Sequence, residues 1–149
     1  MEAALRAAGY RLTPQRVAIL AYLAATDIHP NARQVYQAVC RTFPGLSMAT
    51  VYNTLGILVE TGLIKVLEFE PDNRYETNLA PHANLICNSC GKIQDFAEPL
   101  PFSPEHLAGK AGFQVLDYRM EYYGICSDCQ ATIEKTPKLA RNLKGGRKT

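Results

Sequence analysis

Two cysteine pairs constrain this chain more than anything else in it. They are Cys87-Asn88-Ser89-Cys90 and Cys126-Ser127-Asp128-Cys129, with 35 residues between them. A C-x-x-C on a turn lets both sulfurs converge on one ion. Two such units supply the four soft ligands of a tetrahedral zinc site. Gly91 follows the first pair and Gly124 precedes the second, so both turns have backbone freedom. Four thiolates leave no position open for water, and the pattern therefore predicts a structural rather than a catalytic ion. Two alternatives use the same residues. One is a rubredoxin-like iron site. The other is a pair of redox dithiols, although neither pair opens a helix in a βαβ pattern. The fifth cysteine, Cys40, falls in a predicted helix and reads as a small buried hydrophobe.

The charge is segregated along the 149 residues. Residues 1–66 carry +3, residues 67–134 carry −7 and residues 135–149 carry +6, which leaves a net +2. The length suits one large domain or two small ones, and the segregation favours separate tasks. No apolar run approaches a membrane span. Val17 to Ala25, preceded by Arg6, Arg11 and Arg16, imitates a signal sequence. Thr13 as N-cap and Pro14 at the first helical position instead predict a buried helix over 13–25. Its stripe is Val17, Leu20, Ala21 and Ala24. The protein is accordingly expected in the cytoplasm, where thiols stay reduced.

The remaining periodicity gives an α+β order. A short helix over 1–8 ends at Gly9. Asn31 caps a helix over 32–42, with Val35, Ala38 and Val39 on its apolar side, and Pro44-Gly45 ends it. Ser47 caps a helix from Met48 to Thr61, stopped by Gly62. Strands over 63–69 and 74–78 flank a turn at Pro71-Asp72-Asn73. Helices followed by a hairpin are the order of a winged helix-turn-helix, here residues 1–80. Beyond Pro81 come short strands at Leu85-Ile86 and over 92–96. A helix starting at Ser103-Pro104-Glu105 follows, then a long strand over 113–123. Together they form a small α+β domain over 81–134. Residues 135–149 are basic and aperiodic and read as a mobile tail.

The helix after Ser47 has two faces. Val51, Leu55 and Leu58 recur at helical spacing and face the core. Ala49, Tyr52, Asn53, Gly56 and Glu60 lie opposite. A recognition helix enters the major groove with its N-terminal residues at the base edges. Asn53 can bond an adenine edge through both amide atoms, and Ala49 or Thr50 can touch a thymine methyl. Tyr52 can reach a phosphate or sugar. Arg11, Arg16 and Lys65 would neutralise phosphates, which orients the protein without reading sequence. A solvated surface helix would show the same residues. The hairpin and the +3 charge on the same segment add the case for DNA.

His29 lies in the break between two helices, and His82 five residues before Cys87. With Glu76 and Asp95 they cluster near the inter-domain joint. Imidazole plus carboxylate suits Fe(II), Mn(II) or Zn(II). His106, beside Glu105 in the later helix, reads as a surface or packing residue. The sequence carries no G-x-S-x-G, P-loop, H-E-x-x-H or deaminase motif, so no enzyme is expected.

Several segments together resemble the ferric uptake regulator (Fur) superfamily of metal-dependent repressors, across about residues 3–134. They are Leu12-Thr13-Pro14-Gln15-Arg16, His29-Pro30, Ala49-Thr50-Val51-Tyr52-Asn53-Thr54-Leu55, Gly62-Leu63-Ile64-Lys65, Arg74-Tyr75-Glu76, His82, Cys87 to Ile93, and Tyr123-Gly124. The resemblance implies a homodimer with a winged-helix DNA-binding domain and an α+β dimerisation domain, acting on a pseudo-palindromic duplex operator. It implies structural Zn2+ on Cys87, Cys90, Cys126 and Cys129. It also implies a regulatory Fe2+ or Mn2+ site, with Zn2+ as a further candidate, on His29, Glu76, His82 and Asp95. Asn84 stands where the family often has a second histidine and offers only a neutral carbonyl oxygen as a fifth ligand. Asn53 and its surroundings look like the peroxide-sensing branch, in which bound Fe(II) reacts with peroxide and oxidises ligand histidines. Glu76 looks like the iron-sensing branch, because peroxide sensors favour Asp there. Regulators of iron or zinc uptake remain alternatives, as does a redox protein built on the cysteine pairs.

Overall fold

The computed structural model describes residues 1–98 and 104–135. Ser103 and the basic segment beyond Lys135, expected as a helix start and a tail, lie outside the described residues. The chain divides into two compact units between Ala80 and Pro81. No helix among the described residues is long and apolar enough to cross a membrane.

The first unit places four helices before a hairpin: α1 (Glu2–Ala7), α2 (Pro14–Ala25), α3 (Ala32–Val39), α4 (Met48–Glu60), β1 (Lys65–Leu67) and β2 (Arg74–Glu76). Each long helix starts on a side-chain cap. Thr13 accepts from the Arg16 N–H at 3.3 Å and Ser47 from the Thr50 N–H at 3.1 Å. Asn31 and Gln34 form a reciprocal capping box, at 2.8 and 2.9 Å. Such caps contribute about 1 kcal/mol apiece. Gly62 stops α4 with φ of 68°, a conformation that costs an L side chain energy.

Val35, Val51, Leu55 and Leu58 are fully buried, as their spacing requires, and Ala38 is half-buried. On α2 the expected stripe needs correction. Ile19, Leu20 and Leu23 are buried, Val17 is half-buried, and Ala21 and Ala24 are exposed. The largest side chains set the rotation of the helix, because they remove the most apolar area from water. α3 also stops at Val39, short of the expected residue 42. There the Thr42 and Phe43 N–H groups both turn back onto the Val39 carbonyl at 3.0 Å.

The hairpin strands are shorter than expected over 63–69 and 74–78. Pairing is confined to Lys65↔Glu76, Val66↔Tyr75 and Leu67↔Arg74. The Asn78 N–H leaves the ladder and donates to Glu76 Oε1 at 2.6 Å. Tyr75 packs into the helical core, and its N–H donates to the Pro30 carbonyl at 3.0 Å. Arg74 reaches Gln34 Oε1 at 2.9 Å, which ties the hairpin to the capping box of α3.

The second unit holds a three-stranded sheet in the order β4-β3-β5, with β3 (Ala83–Cys87), β4 (Ile93–Phe96) and β5 (Glu121–Gly124). β4 runs antiparallel to β3 and β5 runs parallel to it. A parallel partner needs a crossover, and α5 (Pro104–Ala111) lies on that connection. α6 (Ser127–Lys135) follows. The long strand expected over 113–123 reduces to Glu121–Gly124. β3 offers β5 four positions, Asn84 to Cys87, and residues 113–120 carry no regular structure. Phe113 and Leu116 are 66% and 86% exposed. α6 was not anticipated, and its first residue falls inside the second cysteine pair.

Two substitutions in α4 test this packing with opposite signs. Leu55→Ala should destabilise the first unit by about 2–5 kcal/mol. Gly56 is exposed, helical and open, with nothing among the described residues within 4 Å of an added Cβ. Gly56→Ala should therefore stabilise by about 0.5–1 kcal/mol. Denaturant unfolding followed by circular dichroism reads both, and equal effects would contradict the burial pattern.

Candidate metal centres and nucleic-acid interface

The parallel register Cys87↔Gly124 brings the two cysteine pairs together. Cys87 ends β3, and the chain turns through Asn88, Ser89 and Cys90 into β4. Gly91 holds φ of 70° and donates to the Cys87 carbonyl at 2.9 Å. The Cys87 N–H donates to the Lys92 carbonyl at 2.9 Å, which closes the turn. Cys126 precedes α6 and Cys129 lies in its first turn. The Asn88 N–H donates to the Gly124 carbonyl at 2.8 Å, locking the two turns side by side.

The four sulfurs lie within 4.8 Å of one another, and none is in a disulfide. Cys90 Sγ and Cys126 Sγ are 3.8 Å apart. A tetrahedron with zinc–sulfur bonds of about 2.3 Å has edges of about 3.8 Å, so the cradle fits that ion. The thiols are tuned unequally. Burial pushes Cys87 up, but the N–H groups of Cys126, Cys90 and Ser89 outweigh it and bring Cys87 down to about 6. The Cys126 N–H contributes at 3.3 Å. The Ser89 hydroxyl favours the Cys129 thiolate, yet the sulfurs of Cys126 and Cys90 prevail and push Cys129 up to about 12. Cys90 is also raised, since the Lys92 N–H that favours its thiolate is outweighed by burial and by the sulfurs of Cys87 and Cys126. Like charges this close disfavour one another, and a divalent cation among them would remove the conflict.

Imidazole and carboxylate meet within each unit. In the first, His29 Nε2 lies 2.5 Å from Glu76 Oε2, with both side chains 4% exposed. The Pro30–Tyr75 bond holds the His29 loop on the strand that ends in Glu76. In the second, His82 Nε2 lies 4.0 Å from Asp95 Oδ2. Asn84 sits on β3 opposite Asp95 in register. Its Oδ1 is buried and has no hydrogen-bond partner among the described residues, which is a costly arrangement for an amide oxygen and suits a cation ligand. The His29–Glu76 contact joins residues 47 apart, and spacing alone gives no signal for it.

On α4, Ala49, Tyr52 and Asn53 are exposed. Thr50 is half-buried, and its hydroxyl pairs with Ser47 Oγ at 2.9 Å, so it is less available than its position suggested. Arg11 is exposed and Lys65 half-buried at the start of β1. Arg16 Nη2 donates to Asn53 Oδ1 at 2.9 Å, a contact between residues 37 apart that no local pattern signals. Tyr10 Oη likewise donates to Glu60 Oε2 at 3.2 Å.

Comparison with known proteins matches this architecture. The model of the ferric uptake regulator family covers residues 7–123. The peroxide-responsive repressor PerR of Staphylococcus aureus (strain USA300) is 44% identical over 130 residues, spanning 86% of this chain and 88% of that protein. Among solved structures, the Vibrio cholerae ferric uptake regulator has a TM-score of 0.69 at 26% identity, covering 83% of this chain and 97% of that one. A zinc-bound manganese uptake regulator has a TM-score of 0.63 at 29% identity, covering 84% and 97%. With its helices, hairpin, clustered thiols and imidazole–carboxylate pairs in place, the chain belongs to the ferric uptake regulator family.

Proposed function

We propose that this protein is a metal-dependent, peroxide-responsive transcriptional repressor. It would bind a pseudo-palindromic DNA operator as a homodimer in the cytoplasm. The observation that carries the reading is 44% identity to a peroxide-responsive repressor over nearly the whole chain. Cys87, Cys90, Cys126 and Cys129 would hold a structural zinc ion, which the sulfur spacing supports. His29, Glu76, His82 and Asp95 would hold the regulatory ion, with Asn84 as a fifth ligand. Fe(II) or Mn(II) suits that donor set, and Zn(II) is the third candidate. Bound Fe(II) would supply the reducing chemistry toward peroxide that oxidises an adjacent imidazole.

The chain's own residues do the rest. His29 and Glu76 lie on segments bonded to the hairpin and to α3. Metal occupancy would close the two winged domains of the dimer onto DNA by shifting a pre-existing equilibrium. α4 would then present Ala49, Thr50, Tyr52 and Asn53 to the major groove, while Arg11 and Lys65 meet phosphates. A second copy of the chain would cover the exposed Leu107, Phe113, Leu116 and Tyr122. A second reading, iron sensing without peroxide oxidation, is favoured by Glu76, whose longer arm holds the ion differently from the Asp of the peroxide-sensing branch.

Cys90→Ser should cost the protein its zinc and unfold the second unit, because metal binding there is part of folding. Zinc content and gel filtration read this, and a zinc-loaded dimer of unchanged melting temperature would refute the structural site. The thiol pKa values set a pH dependence. Cys90 and Cys129, both raised, surrender protons when zinc binds near neutrality, whereas Cys87 at about 6 is already ionised. Zinc affinity should therefore rise with pH across neutrality. It should fall more steeply once pH drops below 6 and Cys87 also takes a proton. Competition with a chromogenic chelator measures it, and a pH-independent affinity would contradict the assignment. His82→Ala should keep zinc and dimer yet lose the dependence of operator binding on Fe(II) or Mn(II). Peroxide should abolish operator binding by the Fe(II) form alone and add one oxygen atom to a peptide holding His29 or His82. Peroxide-insensitive Fe(II) protein would select the iron-sensing reading.

A further inference from the structure

Arg16 is the third residue of α2, and its backbone N–H is already taken by the Thr13 cap. Its guanidinium makes two further contacts. Nη1 donates to the Arg11 carbonyl at 2.7 Å, and Nη2 donates to Asn53 Oδ1 at 2.9 Å. The side chain thus bridges the segment leading into α2 and the exposed face of α4, across 37 residues. A residue that only neutralised phosphate would need neither internal acceptor.

The contact also fixes which way the Asn53 amide points. A guanidinium has five N–H donors and no acceptor. The atom of Asn53 facing it must therefore be the oxygen, and Nδ2 must point elsewhere. An unrestrained asparagine on an exposed helix turns either face outward.

We propose that Arg16 is a positioning residue for base reading: it holds the Asn53 amide so that Nδ2 is the group offered to the groove. The inference rests on α4 being the DNA-contacting helix and sharpens what that helix recognises. An outward N–H donor selects a base with an acceptor on its major-groove edge, namely guanine, thymine or adenine N7. It rejects cytosine, which offers there only its N4 donor. Two-atom recognition of adenine by a freely turning Asn53 is replaced by recognition through the nitrogen.

The probe is a randomised duplex library enriched by the Mn(II)-loaded full-length protein. The pair whose preference disappears in Asn53→Ala is the one Asn53 reads. There the unmodified protein should disfavour cytosine by about tenfold or more, within the range of a good side-chain–base contact. Arg16→Lys keeps the charge but is a point donor that cannot span both acceptors. It should lose most of that discrimination, leave preferences at other pairs intact, and keep the salt dependence of binding. Arg16→Ala in the Asn53→Ala background should cause no further loss of discrimination. The proposal is overturned if Arg16→Lys retains full discrimination. It is equally overturned if Arg16→Ala weakens every sequence alike and lowers the salt slope by about one per protomer, the signature of a phosphate contact. Should Arg16→Ala fail to fold, Arg16→Lys decides alone. A library from which the unmodified protein enriches nothing overturns the DNA-binding reading itself, and the proposal with it.

Discussion

The second unit depends on the parallel pairing of β5 with β3. A shift of one residue in that register would move Cys126 and Cys129 away from Cys87 and Cys90, because successive strand residues alternate faces. The pairing is only four residues long, and four residues of parallel sheet contribute little on their own. An ion held by both turns would fasten the end of that ladder at which both strands finish. Strand register and metal coordination therefore support each other, and neither suffices alone in a unit with so small a core.

The first unit is organised differently. Its core is a conventional set of aliphatic side chains from α1 to α4, and its helices begin on local caps. The hairpin is not held by its own three-residue ladder alone. Tyr75 enters the helical core and donates to Pro30, and Arg74 donates to Gln34 of the α3 capping box. These bonds also fix the loop that carries His29. The same contacts that position the hairpin bring His29 and Glu76 together.

Legibility followed the range of the interaction. Helix starts at Thr13, Asn31 and Ser47 were readable because a cap is a contact between residues three apart. The cysteine pairs were readable because ligand geometry imposes the C-x-x-C spacing. The His29–Glu76 pair depends on how a loop packs on a strand 47 residues away, which local pattern does not encode. Residues 113–120 were expected as strand, but propensity supplies only one side of a ladder, and β3 pairs with β5 only from Asn84 to Cys87. α6 went unseen because its nine residues carry few apolar side chains and no clear stripe. The Arg16–Asn53 contact joined two residues that had each been singled out for a separate task.

Glu76 is the last residue of β2, whose first residue is Arg74. Three residues of strand span about 10 Å. A load on the hairpin would therefore be carried to the backbone of Glu76. In such an arrangement a docked duplex would tighten the hold on the ion by the same factor as the ion tightens the hold on the duplex. The operator would then act as a co-ligand that strengthens the hold on its own signal.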